Sequence, residues 1–255
     1  MDPGQSAGHD VAEAVTGAQV IIADDMGTTD TLRAPDQSDF RYDPAFSADR
    51  GYYETTKISG NPGHAYHLRV LIGSETFQAT AYMPASVPAI DSVVLKKDLL
   101  ADPSGLLGDV AFAYFKEPQD ENNYYALQLS SVNDSLYDRA RWIYGPTWIF
   151  PYYIFDDKTL PPYVNGMEVL ALIGGVIRDQ RVSYKPNWIP PYDAVQVRLS
   201  ALPRETYEYL KALEKQFLDD GNVYKPSPAS AVGNISGGAL GLFWATNISS
   251  KVVLR

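Results

Sequence analysis

Apolar residues in this chain come in short runs cut by Gly, Pro and acidic turn residues, and a single segment holds a helical period. Runs of this kind read as strands. Ala18–Ala23 stops at the turn signal Asp24-Asp25-Met26-Gly27. Ala65–Ile72 sets Tyr66, Leu68 and Val70 on one face, and Gly73-Ser74 joins it to Glu75–Tyr82 as a hairpin. Gly51-Tyr52-Tyr53-Glu54 is a further strand candidate. Composition agrees: with 18 Tyr, 18 Pro and 19 Gly, the chain is rich in a residue that suits half-buried sheets and in two that punctuate turns. The fold class is all-β.

A length of 255 residues accommodates two modest β domains. The Pro-bracketed, uncharged stretch Pro84-Ala85-Ser86-Val87-Pro88 reads as the link between them. This puts one domain at residues 1–86 and a second at 87–255. Strands are expected in the second at Ile90–Lys96, Gly108–Lys116, Tyr124–Val132, Glu168–Ile177 and Ala194–Ala201, with Glu117–Asn123 as a polar hairpin loop. Leu240–Ile248 and Lys251–Leu254 suggest a final hairpin, with Gly233–Gly241 as a bulge or close backbone approach beside it.

The helical exception is Pro203–Leu218. Tyr207, Leu210, Leu213 and Phe217 recur at helical spacing and should face a sheet; Arg204, Glu208, Lys211 and Lys215 should face water. Pro203 suits the first turn, Ser200 is a candidate cap, and Asp219-Asp220-Gly221-Asn222 ends the helix.

The net charge of −10 makes nucleic acid an unfavourable partner and disfavours adsorption to anionic lipid. The absence of Cys excludes disulfides, thiol catalysis and Cys-ligated zinc. No apolar run approaches the roughly 20 residues of a membrane-spanning helix. Residues 1–14 are polar and loop-like, without a basic region followed by an apolar stretch.

No constellation of reactive residues stands out, so no catalytic residue, metal ligand or cofactor is assigned. His64 and His67, three apart on a strand, point to opposite faces and cannot chelate one ion. The doublets Asp24-Asp25, Asp156-Asp157 and Asp219-Asp220 lack the ligand spacing of a calcium loop and suit turns and caps. One local feature suggests binding: the aromatic stretch Trp142–Phe155, interrupted by Pro146 and Pro151. It supplies Trp142, Tyr144, Trp148, Tyr152 and Tyr153 as candidate ligand- or partner-binding residues. Most of these rings are expected to pack inward against the second sandwich, leaving at least one of Trp142, Trp148 and Tyr152 exposed.

Several motifs also occur in a recognisable order. They are Gly17-Ala18-Gln19-Val20, Gly63-His64-Ala65-Tyr66-His67-Leu68-Arg69-Val70, Ile90-Asp91-Ser92-Val93, Asn122-Asn123-Tyr124-Tyr125 and Asn234-Ile235-Ser236-Gly237-Gly238. This ordered set resembles the DUF4249 family of Bacteroidetes outer-membrane lipoproteins. The first domain is also similar to transthyretin-like, carboxypeptidase-regulatory sandwiches. The resemblance implies two Ig- or transthyretin-like β-sandwiches with the helix packed on the second. It also implies a lipid anchor and one or two strands ahead of Gly17, which this sequence does not display, so the first sheet is expected to present an open edge or apolar stripe.

The function that this resemblance implies is non-enzymatic: a cell-envelope accessory to a TonB-dependent uptake system, with a TonB-dependent outer-membrane receptor as partner. Two alternatives remain open at this stage, a carbohydrate- or peptide-binding surface module and a hydrolase with dispersed carboxylates.

Overall fold

The protein is seen in a computed structural model that describes residues 14–35, 51–100, 107–131, 153–176, 188–189, 194–219 and 231–254. It is an all-β chain with one described helix.

Strands β1 (Gln19–Asp24), β2 (Thr29–Thr31), β3 (Ala65–Ile72) and β4 (Glu75–Tyr82) form an antiparallel sheet in the order β2-β1-β3-β4. The expected hairpin is present, with Ile72 opposite Glu75 and Gly73 at φ 59° in its two-residue turn. Asp24 closes the β1–β2 turn by accepting from the Met26 and Thr28 amides, the local role that its sequence context suggests.

One face of this sheet is covered. Val20, Asp24, Asp30, Tyr66, Ala79 and Ala81 are buried there. The chain between Gly51 and Gly63 lies over them, held by Asp30. That buried carboxylate accepts from the Thr56 amide (2.6 Å), the Thr56 hydroxyl (2.9 Å), the Lys57 amide (2.7 Å) and the Ile58 amide (3.2 Å). The expected strand at Gly51–Glu54 is not there. Gly51 sits in a turn at φ 78°, and only Glu54 makes a bridge, to Arg33. The Tyr53 hydroxyl instead pins the chain to the Val15 carbonyl and the Ala18 amide, so side-chain bonds replace a ladder.

Pro84–Pro88 leads into a two-sheet sandwich. One sheet has the order β10-β9-β6-β5, from β5 (Ile90–Leu100), β6 (Leu107–Lys116), β9 (Tyr163–Val176) and β10 (Trp188–Ile189). The other has the order β12-β11-β7-β8, from β7 (Tyr124–Ser131), β8 (Tyr153–Asp156), β11 (Ala194–Ala201) and β12 (Asn247–Leu254). Inward residues at alternate positions fill the space between the sheets. Ala111, Ala113 and Phe115 face Tyr125, Leu127 and Leu129, with Val195, Val197 and Leu199 beside them. Val87 also packs against this core, so the link is seated on the sandwich.

Two expectations change here, and β9 carries a bulge. Glu117–Asn123 is not a hairpin loop, because β6 and β7 belong to different sheets. It crosses between the sheets, and Glu117 turns inward to anchor the crossing, its amide donating to the Pro162 carbonyl. Asn165-Gly166 lies inside β9. Gly166, at φ 88°, is the extra residue where Met167 opposes Ala113 and Asn165 opposes Tyr114, a bulge at which an added Cβ would sit 3.1 Å from the Tyr114 hydroxyl. Finally, the chain does not end in a hairpin. Asn247–Leu254 is one strand paired along its full length with β11, while residues 240–246 have no strand structure.

The helix α1 spans Arg204–Asp219. Leu210 is buried against Ala126, Ile154 and Leu202, with Tyr124, Tyr207 and Tyr209 packed around them. Arg204 and Glu208 are exposed and paired at 2.7 Å, as their spacing suggests. Leu213 is only half-buried, and Thr206 takes a fully buried position instead. Ser200 is not the cap, because it belongs to β11; the Pro203 carbonyl opens the helix by accepting from the Tyr207 amide. The side chain of Phe217 is outside the described residues.

Candidate functional site

The uncovered face of the first sheet forms the candidate site, and strand register defines its layout. Thr29, Ala23, His67 and Thr80 stand opposite one another in successive strands, making one row across the sheet. Thr31, Ile21, Arg69 and Gln78 make the adjacent row. Between and along these rows runs a groove of about 370 Å³, lined by residues of all four strands. At roughly 4.8 Å per strand spacing, four strands give it a span of about 14 Å. Its floor is apolar, from the half-buried Ile21 and Ala23; its upper surface carries the exposed Arg69, His67, Gln78 and Thr80. The His67 ring contacts the Thr80 hydroxyl at 3.1 Å.

The groove ends at β4, and a distant segment closes that edge. The Ser236 amide donates to the Gln78 carbonyl at 2.7 Å, and the Gln78 amide donates to the Ser236 hydroxyl at 3.0 Å. The Asn234 side chain donates to the Thr80 carbonyl (3.0 Å) and the Phe243 carbonyl (2.7 Å), and accepts from the Phe243 amide (2.8 Å). Gly237 then passes so close to Phe77 that a Cβ would lie 2.9 Å from its ring, at a φ of 78°. The Gly-rich motif therefore does make a close backbone approach, but to the first sheet and not beside a last hairpin. It latches the C-terminal segment onto the strand that bears Gln78 and Thr80.

The carboxylates in distinctive surroundings are engaged in structural bonds. The Lys57 amide above all, then the Thr56 and Ile58 amides and the Thr56 hydroxyl, hold the Asp30 carboxyl down at about 2 against the opposing effect of burial. Asp25 is lowered by the Ala65 amide and by His64, whose ring is 2.7 Å away. His64 and His67 thus take separate partners. Asp157 accepts from the Asn123 amide at 2.6 Å. Glu117 is the contrary case. Burial pushes its carboxyl above the usual 4.5, despite bonds from the Tyr125 hydroxyl (3.0 Å) and the Asn123 amide group (3.3 Å), and Asp157 and Glu121 reinforce the rise. Its Oε2 is buried without a partner.

Of the aromatic candidates, Trp142, Tyr144, Trp148 and Tyr152 lie outside the described residues. Tyr153 opens β8, an edge strand, where it is 41% exposed and stacked on Phe155 at 5.3 Å; Phe155 itself is in the core. His67 and Arg69 fall within the Gly63–Val70 motif, but no motif marked the groove residues as a site. Their one sequence signal is the outward half of three alternating strands, where Arg69, His67, Gln78 and Thr80 fall in register.

Fold and site together define a two-part β protein with an open sheet face latched at one edge by its own C-terminal segment. Residues 3–252 match the family model described as a domain of unknown function, DUF4249, and the chain belongs to that family. No curated protein and no solved structure matches it.

Proposed function

We propose that this chain is a non-enzymatic ligand-binding protein of the cell envelope, an outer-membrane lipoprotein that serves a TonB-dependent nutrient-uptake system. The observation that carries the binding part is the half-open groove across the first sheet, where Ile21 and Ala23 lie beside the exposed Arg69, His67, Gln78 and Thr80. The occupation of Asp25, Asp30 and Asp157 by backbone amides favours this reading over hydrolysis by dispersed carboxylates. No described helix is long and apolar enough to cross a membrane, which accords with attachment by other means. The envelope location and the receptor partner rest on family resemblance.

The test is nutrient uptake in cells lacking the gene, complemented with the intact protein. Uptake through the TonB-dependent receptor should fall on deletion and return on complementation, with the nutrient chemically unchanged by the purified protein. Unaltered uptake, or conversion of the nutrient by the purified protein, contradicts the proposal.

A further inference from the structure

We infer that the groove across the first sheet takes an extended acidic peptide, whose carboxylate is received by Arg69. This rests on the binding role proposed for the same groove and specifies its ligand.

Arg69 is distinctive among the described arginines. Arg33 pairs with Glu54, Arg204 pairs with Glu208, and Arg198 donates to Gln196. Arg69 alone has no hydrogen-bonded or ionic partner among the described residues, in a chain with 31 acidic and 21 basic residues. It stands in the middle of its row, between Ile21 and Gln78, with its side chain exposed in the groove. A guanidinium is a planar fork suited to two parallel bonds to a carboxylate, and those bonds are stronger than neutral ones.

The other lining groups fit a peptide. Gln78 offers an amide and Thr29 and Thr80 offer hydroxyls, each able to donate to or accept from a peptide backbone. Ile21 and Ala23 give apolar contact to the flanking side chains. The span of about 14 Å matches four extended residues at about 3.3 Å each. None of the lining residues is Trp, Tyr or Phe, so the groove lacks the large ring faces on which sugars stack; its one flat ring, the His67 imidazole, is bonded to the Thr80 hydroxyl. The net charge of −10 opposes an acidic ligand at a distance, but at physiological salt that field is screened beyond about 8 Å, and Arg69 governs the contact.

The experiment measures fluorescence anisotropy of a labelled, end-capped pentapeptide with one central glutamate between valines, and of its glutamine counterpart. The intact protein should bind the glutamate peptide at least ~10-fold more tightly. Arg69→Gln should abolish that preference, and Arg69→Lys should restore part of it. Unchanged melting of both variants verifies that the exposed substitutions leave the fold intact. Equal binding of the two peptides, a preference that survives Arg69→Gln, or no binding of either overturns the inference. So does capture of trigalacturonate in place of the peptide. If uptake in cells depends on the protein yet is indifferent to Arg69→Gln, the acidic-peptide inference falls and the binding role stands.

Discussion

Replacing Asn234 by Ala should unlatch the C-terminal segment from the first sheet without unfolding the sandwich. The side chain makes three hydrogen bonds, to the Thr80 carbonyl and to the amide and carbonyl of Phe243. Each such bond contributes a net ~0.5–1.5 kcal/mol. The groups left behind are near the surface and can bond water, so the lower half of that range applies, about 2 kcal/mol in total. Local opening is then favoured about 30-fold, since 1.4 kcal/mol is a factor of ten. Native-state amide exchange reads this directly. The Ser236 and Gln78 amides, which bond across the latch, should exchange about 30-fold faster, whereas the Val197 amide in the sandwich core keeps its rate. Asn234→Asp keeps an acceptor for the Phe243 amide and loses both donors, so it should fall between. Unchanged exchange at Ser236 in Asn234→Ala would refute the latch.

Three further outcomes follow from buried groups. Glu117→Gln should flatten the pH dependence of stability: the raised native pKa means that wild type loses stability as pH rises from the unfolded value near 4.5 through the native one, so the variant should gain on wild type over that interval in urea titrations at several pH values. Asp30 has the opposite sign. Its native value of about 2 lies below the ordinary 3.8, so its contribution is full above 3.8 and is lost as pH falls toward 2; Asp30→Asn should remove that acid-side slope, measured by thermal melting. Leu210→Ala should cost ~2–4 kcal/mol in chemical denaturation, because Leu210 is the buried helix residue seated on Ala126 and Ile154; a change below ~1 kcal/mol would mean that the helix is not held by that contact.

Local pattern carried much of the fold. Alternation placed β1, β3, β4, β7 and β11, and the helical period placed α1 within a residue or so of Arg204–Asp219. What local pattern missed was non-local. Whether β6 and β7 pair as a hairpin or cross between sheets depends on partners such as β9 and β11, far along the chain. The contacts of Ser236 with Gln78 span 158 residues, and nothing near either residue announces the other. Leu213 is half-buried and Thr206 is buried, so the buried side of the helix follows its apolar stripe only in part, with the Tyr207 ring lying against Tyr124. For the site, the sequence drew attention to a dense aromatic stretch, of which Tyr153 and Phe155 alone are described. The groove escaped notice because its residues are ordinary polar strand positions until register aligns them across four strands.

The most direct measurement is the uptake rate in cells in which the groove is filled. Thr80→Trp places a large side chain at the exposed β4 end of the groove; Ser250→Trp, exposed on β12 of the sandwich, serves as control. With both proteins produced at wild-type level, the expected result is loss of receptor-dependent uptake for Thr80→Trp and wild-type uptake for Ser250→Trp. Normal uptake with the groove filled would contradict a binding role for the first sheet.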